Sequence, residues 1–87
     1  MGQRRHPPLT PSEVVAILEA LQFTFKSQTG SHAQYERASD DQKPRSVVTV
    51  DMSVSEFWED PLKSMIRQSN FTREEFYAAT KKTAKKI

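Results

Sequence analysis

The run Gly30-Ser31-His32, with Tyr35 three positions on, is the segment of this chain whose residue types are best suited to chemistry. A histidine has an ordinary pKa near ~6.5, so its imidazole can take or give a proton at cellular pH. If Ala33 and Tyr35 of a strand point inward, alternation puts His32, Gln34 and Glu36 on the opposite, open face. They would lie beside Thr24, Lys26 and Gln28 of a neighbouring strand that buries its phenylalanines. An ammonium such as Lys26 next to His32 would favour the neutral, basic imidazole and could also hold a phosphate. Taken alone, a histidine at a strand start is more often a plain surface residue than a catalyst. Further along, Lys63 and Arg67 stand four apart near a helix start. That spacing can grip a phosphate backbone, although a solvated face is the commoner use of such a pair.

Other chemistries find less support. The chain has no cysteine, which removes thiol nucleophiles, disulfides and thiolate metal sites. His32 lacks a second histidine or carboxylate at ligand spacing and His6 sits in a proline-flanked arm, so no metal and no cofactor are expected. Ser31 has no strand-to-helix elbow around it, and adjacent strand residues face opposite sides. Two glycines are too few for a phosphate-cradling loop. The net charge of +2 permits nucleic-acid binding without demanding it. Its distribution is more telling, with a basic head at Arg4, Arg5 and His6 and a basic tail at Lys81, Lys82, Lys85 and Lys86.

The elements that must position these residues follow from local signals. The 87 residues suit one compact domain. Residues 1–9 read as a flexible basic arm, 10–80 as the domain and 81–87 as a basic tail. Thr10-Pro11-Ser12-Glu13 forms a capping box with proline at the first helical position, and Leu9 with Val14 a hydrophobic staple. Val14, Ile17, Leu18 and Leu21 then give one apolar stripe, predicting a helix over about 11–22. From Phe23 to Val50 the period changes to two, predicting strands near 23–29, 32–38 and 46–52, with a tight turn at Thr29-Gly30-Ser31. Asp60-Pro61 suggests an N-cap followed by proline at the first position of a helix over 61–69. Thr72 and Glu75 form a second capping box, and Phe71 with Phe76 a second staple, starting a third helix over about 73–83.

The fold class is thus α+β, a three-stranded antiparallel sheet with helices packed on one face and the other face open. Phe25, Tyr35, Val48, Val50, Leu18 and Ile66 are expected to be buried. No apolar run approaches the ~20 residues of a membrane helix, and Met1 to Pro8 is polar and basic, so a cytoplasmic protein without membrane association is expected.

Several of these segments, taken in order, resemble one family. They are Ser12-Glu13-Val14-Val15, Leu21-Gln22-Phe23, Gly30-Ser31-His32 with Tyr35, Val48-Thr49-Val50, Leu62-Lys63-Ser64-Met65-Ile66-Arg67-Gln68 and Thr72-Arg73-Glu74-Glu75-Phe76. Over about residues 10–78 the set is similar to the HicA toxins of toxin–antitoxin systems. The resemblance implies an α-β-β-β-α(-α) fold of the double-stranded RNA-binding kind and metal-independent cleavage of mRNA without a small-molecule cofactor. It also implies silencing by a HicB-like antitoxin protein. The family's catalytic histidine falls on His32, and Lys26, Ser31, Lys63 and Arg67 are the candidate RNA-binding residues. Many members carry a further histidine after the third strand, in a Val-Pro-x-His context, where this chain has Val50-Asp51-Met52-Ser53. That position is dispensable, or Asp51 and Ser53 take over part of its role, or activity is weakened. The competing functions are a non-catalytic RNA-binding module of the same fold and a protein-interaction domain using a sheet edge or the Phe57-Trp58 segment.

Overall fold

The computed structural model describes residues 8–84, with side chains to residue 79. The arm expected over 1–9 and the tail expected over 81–87 therefore lie outside the described residues, save for Pro8, Leu9 and the backbone of 81–84. The elements are α1 (Pro11–Ala20), β1 (Thr24–Thr29), β2 (His32–Arg37), β3 (Ser46–Asp51), α2 (Glu59–Ser69) and α3 (Arg73–Ala84). This is the α+β order expected, with one antiparallel sheet ordered β1-β2-β3.

Helix α1 starts at its capping box. The Glu13 amide donates to Thr10 Oγ1 at 3.2 Å and the Thr10 amide donates to Glu13 Oε1 at 2.8 Å. It stops at Gln22, whose left-handed φ of 75° turns the chain out of the helix. The Gln22 amide then donates to the Glu19 carbonyl and the Phe23 amide to the Leu18 carbonyl, satisfying two orphan acceptors. The turn between β1 and β2 uses Gly30 at φ +58°, a conformation that costs glycine little.

Val14, Ile17 and Leu18 of α1, Val48 and Val50 of β3, and Phe23 and Phe76 are almost wholly buried. Leu9 joins this core through a two-way backbone bridge to Phe57. Helix α1 packs on α3 and β3, and α2 packs on β3. The α2–α3 junction is pinned by buried polar groups: Ser69 Oγ donates to the Ile66 carbonyl and accepts from the Phe71 amide, and Asn70 Nδ2 donates to Ser46 Oγ.

Three expectations are corrected. Phe25 is 56% exposed rather than buried. It pairs across the strands with buried Tyr35, ring edge to face at 5.7 Å, but β1 is an edge strand at the rim of the helical layer and all six of its residues are exposed. Gln28 is the second. The register shifts between Phe25 and Ser27, so Ser27 faces Gln34 while Gln28 shares the core side with Ala33 instead of the open side. The third is the start of α2, which begins at Glu59 after an N-cap at Trp58 that makes no side-chain cap hydrogen bond. Pro61 occupies the third helical position, still inside the first turn, where backbone amides have no intrahelical partner.

Two predictions concern stability. Phe76→Ala should cost about 3–5 kcal/mol in chemical denaturation, whereas Phe25→Thr, at the uncovered rim, should cost about 1 kcal/mol or less. Asp40 organises the β2–β3 loop, accepting from Arg37 Nη2 and from the Gln42 and Lys43 amides. The Arg37 hydrogen bond, followed by those two amides, lowers its pKa to about 2. A depressed carboxylate pKa contributes stability that is fully present above about pH 4 and is lost as pH falls through the folded value. Acid titration of unfolding should therefore show a loss between those limits that Asp40→Asn removes.

Candidate active site

Strand β2 separates the core from the candidate chemistry. Ala33 and Tyr35 are buried, while His32 on the opposite side has a side chain 61% exposed. The inward and outward phase of β2 inferred from the sequence is therefore the one observed. Six consecutive pairs join β2 to β3, and they place Asp51 opposite His32, Thr49 opposite Gln34 and Val47 opposite Glu36. Cross-strand partners share a face. The open surface of β2 and β3 thus carries one histidine and one carboxylate at the same end.

Asp51 Oδ2 lies 3.8 Å from His32 Nε2. Its other oxygen, Oδ1, accepts from the Ser53 amide at 3.0 Å and from Ser53 Oγ at 2.7 Å. These Ser53 bonds, with smaller contributions from Ser31 and His32, hold the Asp51 carboxyl below the usual carboxylate range. Asp51 is therefore ionised at neutral pH and anchored by its own turn. Ser31 adds a smaller contribution to the same lowering.

Lys26 is not the neighbour of His32 that the strand period suggested. Thr29 stands opposite His32, and Lys26 occupies the register shift, where its Nζ lies 3.8 Å from Glu36 Oε1. Glu36 is four residues along β2 from His32, roughly 13 Å at strand rise, and its carboxylate also pairs with Arg45. The charge beside His32 is negative, not positive.

Helix α2 adds a wall that sequence reasoning missed. The Thr49 amide donates to Gln68 Oε1 at 3.3 Å, tying the helix to the outer edge of β3. Between them runs a groove of about 180 Å³ lined by His32, Thr49, Asp51, Phe57, Pro61, Ser64, Met65 and Gln68. Pro61, Ser64 and Gln68 recur at i, i+3, i+7 and so share a helix side, but two of them are polar and leave no apolar signature. Lys63 and Arg67 are exposed on the same helix without lining the groove. Among the described side chains they are the lysine and arginine residues without an ion pair: Lys26, Arg37, Lys43, Arg45 and Arg73 each have a carboxylate partner.

Comparison with known proteins gives one family. The family model described as the HicA toxin of bacterial toxin–antitoxin systems matches residues 11–71, which span α1 through the end of α2 and contain every residue lining the groove. No curated protein matches the chain.

The anchoring of Asp51 can be checked directly. Ser53→Ala removes the hydroxyl donor and leaves the amide, so the Asp51 carboxyl should titrate at a higher pH than in the wild type, though still below an unstructured aspartate. Carboxyl-carbon NMR titration measures both, and an unchanged midpoint would show that the hydroxyl does not hold the carboxylate.

Proposed function

Because the chain belongs to the HicA toxin family of bacterial toxin–antitoxin systems, we propose that it is a cytoplasmic, metal-independent endoribonuclease that cuts mRNA with His32 as general base. The observation that carries this reading is the exposure of His32 at the mouth of a groove while its strand neighbours Ala33 and Tyr35 are buried. A functional histidine on a strand must face away from the core, and this one does.

The reaction proposed is transesterification. His32 removes the proton from a ribose 2′-hydroxyl, and the oxygen attacks the adjacent phosphorus. The P–O5′ bond breaks and the departing oxygen takes a proton from water, leaving a 2′,3′-cyclic phosphate on one fragment and a 5′-hydroxyl on the other. As His32 takes the proton it becomes a cation, and the Asp51 carboxylate 3.8 Å away offsets that charge. In this chain Asp51 and Ser53 thus stand where many family members carry a second histidine. Lys63 and Arg67, with no carboxylate to satisfy, supply phosphate contacts on the α2 side. Ser31, next to His32 in the chain, is a further RNA contact in this reading. Lys26, Glu36 and Arg45 together leave one net positive charge further along the open face, for the more distant backbone.

The partner proposed is a HicB-like antitoxin that covers the open face and His32. A toxin of this kind must be restrained in the cell that makes it, and masking the exposed histidine is the most direct way. In the isolated complex His32 should become protected, whereas protection confined to the helical face would count against this mode of silencing.

His32→Ala should abolish RNA cleavage and growth arrest, a loss of roughly 10²- to 10⁴-fold for a general base, while shifting the unfolding free energy by about 0.5 kcal/mol or less for an exposed side chain. Cleavage by the wild type should persist in chelator. A variant that cuts RNA as well as the wild type would overturn the assignment. Lys63→Ala and Arg67→Ala should each weaken RNA binding across sequences and reduce the slope of log affinity against log salt by about 0.7 to 1.

A further inference from the structure

The groove between β3 and α2 has a chemistry that the cleavage step does not use. Its floor is apolar, formed by Phe57 and Met65, which are 5% and 4% exposed. Its rim is polar and directional. The Gln68 side-chain oxygen is committed to the Thr49 amide, so the same carboxamide must turn its NH2 group, a pure donor, away from that bond. The hydroxyl of Ser64, one helical turn earlier and exposed, has no hydrogen-bond partner among the described residues. The two unpaired cations of α2, Lys63 and Arg67, each adjoin one of these rim residues in sequence. An apolar slot with a fixed donor at its edge, on a helix that also carries two cations without a carboxylate partner, matches a flat heteroaromatic ring carried on a phosphodiester chain.

We propose that this groove holds one unpaired nucleobase of single-stranded RNA, splayed out from a nucleotide next to the phosphate at His32, and that Gln68 reads its edge. Directed at position 4 of a pyrimidine ring, this donor meets the carbonyl oxygen of uracil but the exocyclic amino group of cytosine, donor to donor, so uracil is preferred. The inference rests on the ribonuclease reading for the identity of the ligand, but not on catalysis for its test.

Oligonucleotides carrying 2′-fluoro in place of every 2′-hydroxyl cannot be cut by 2′-hydroxyl attack, so their binding can be measured without turnover. The wild-type chain should bind the all-uracil strand roughly 3- to 10-fold tighter than the all-cytosine strand, the value of one hydrogen bond gained against a donor left unpaired. It should also prefer the uracil strand alone to the same strand in a duplex. Gln68→Ala should remove the uracil preference. Gln68→Glu is more decisive, because one carboxylate oxygen can still accept from the Thr49 amide while the other now presents an acceptor, so the ratio should invert in favour of cytosine. Exposed Gln68 makes unfolding a remote cause, and circular dichroism of both variants checks it. Ser64→Ala, further from the β3 edge, should lower affinity for both strands. Equal binding of uracil and cytosine by the wild type, or a ratio indifferent to Gln68, would overturn the proposal. Loss of the ribonuclease reading shows differently: unmodified RNA would stay intact while the uracil preference and its inversion persisted.

Discussion

The antiparallel pairing of β2 with β3, from His32 opposite Asp51 to Arg37 opposite Ser46, is the constraint from which the rest of the molecule follows. Side chains alternate along each strand, so one register decides two things together. It sends Ala33, Tyr35, Val48 and Val50 into the core and it brings His32 and Asp51 to one end of the open face. A slip of one residue would expose the valines and bury the charges, exchanging several kcal/mol of apolar burial for desolvated ions. The hydrophobic pattern that stabilises the sheet is therefore also what aligns the candidate site. Bringing His32 and Asp51 together needs no strained backbone, since both sit in ordinary extended conformation at the ends of their strands.

What the sequence revealed and what it hid divide along the line between local and non-local forces. Both capping boxes were legible because Thr10 with Glu13 and Thr72 with Glu75 are each complete within four residues, and both form as read. The inward phase of β2 was legible because tyrosine and alanine alternate with polar residues. The register shift at Lys26 was not, since no turn residue marks it and it exists only through pairing with β2; it misplaced Gln28 and set Lys26 beside the wrong partner. The exposure of Phe25 was hidden for a related reason, because strand composition does not say which strand lies at the rim. The groove is the most non-local feature. Its two walls lie in different elements, and the Thr49 to Gln68 hydrogen bond that joins them spans 19 residues.

Charge in this protein is organised by consumption rather than by sum. Most of the described lysines and arginines are neutralised where they stand, several of them in structural roles. Arg37 and Lys43 flank the ring of Phe71, at 5.2 and 4.5 Å from its centroid, and each also reaches a backbone carbonyl, of Leu21 and Asn70 respectively. They stitch the β2–β3 loop to the end of α1 and to the α2–α3 junction. Among the described side chains, the positive charge not taken up by a carboxylate is thus localised at Lys63 and Arg67, on the helix that walls the groove.

The exposed strand β1 carries a consequence for how the protein survives at high concentration. An uncovered strand edge with an aromatic residue on it is a template on which a second chain could extend the sheet, and repeated extension leads to fibres. The irregularity at Lys26 works against this in two ways. It breaks the regular spacing of donors and acceptors in the middle of the edge, and it seats a charged side chain at that break. The residue whose position could not be read from strand alternation thus stands at the point of the edge where a charge and an irregular register both oppose the addition of a further strand beside exposed Phe25.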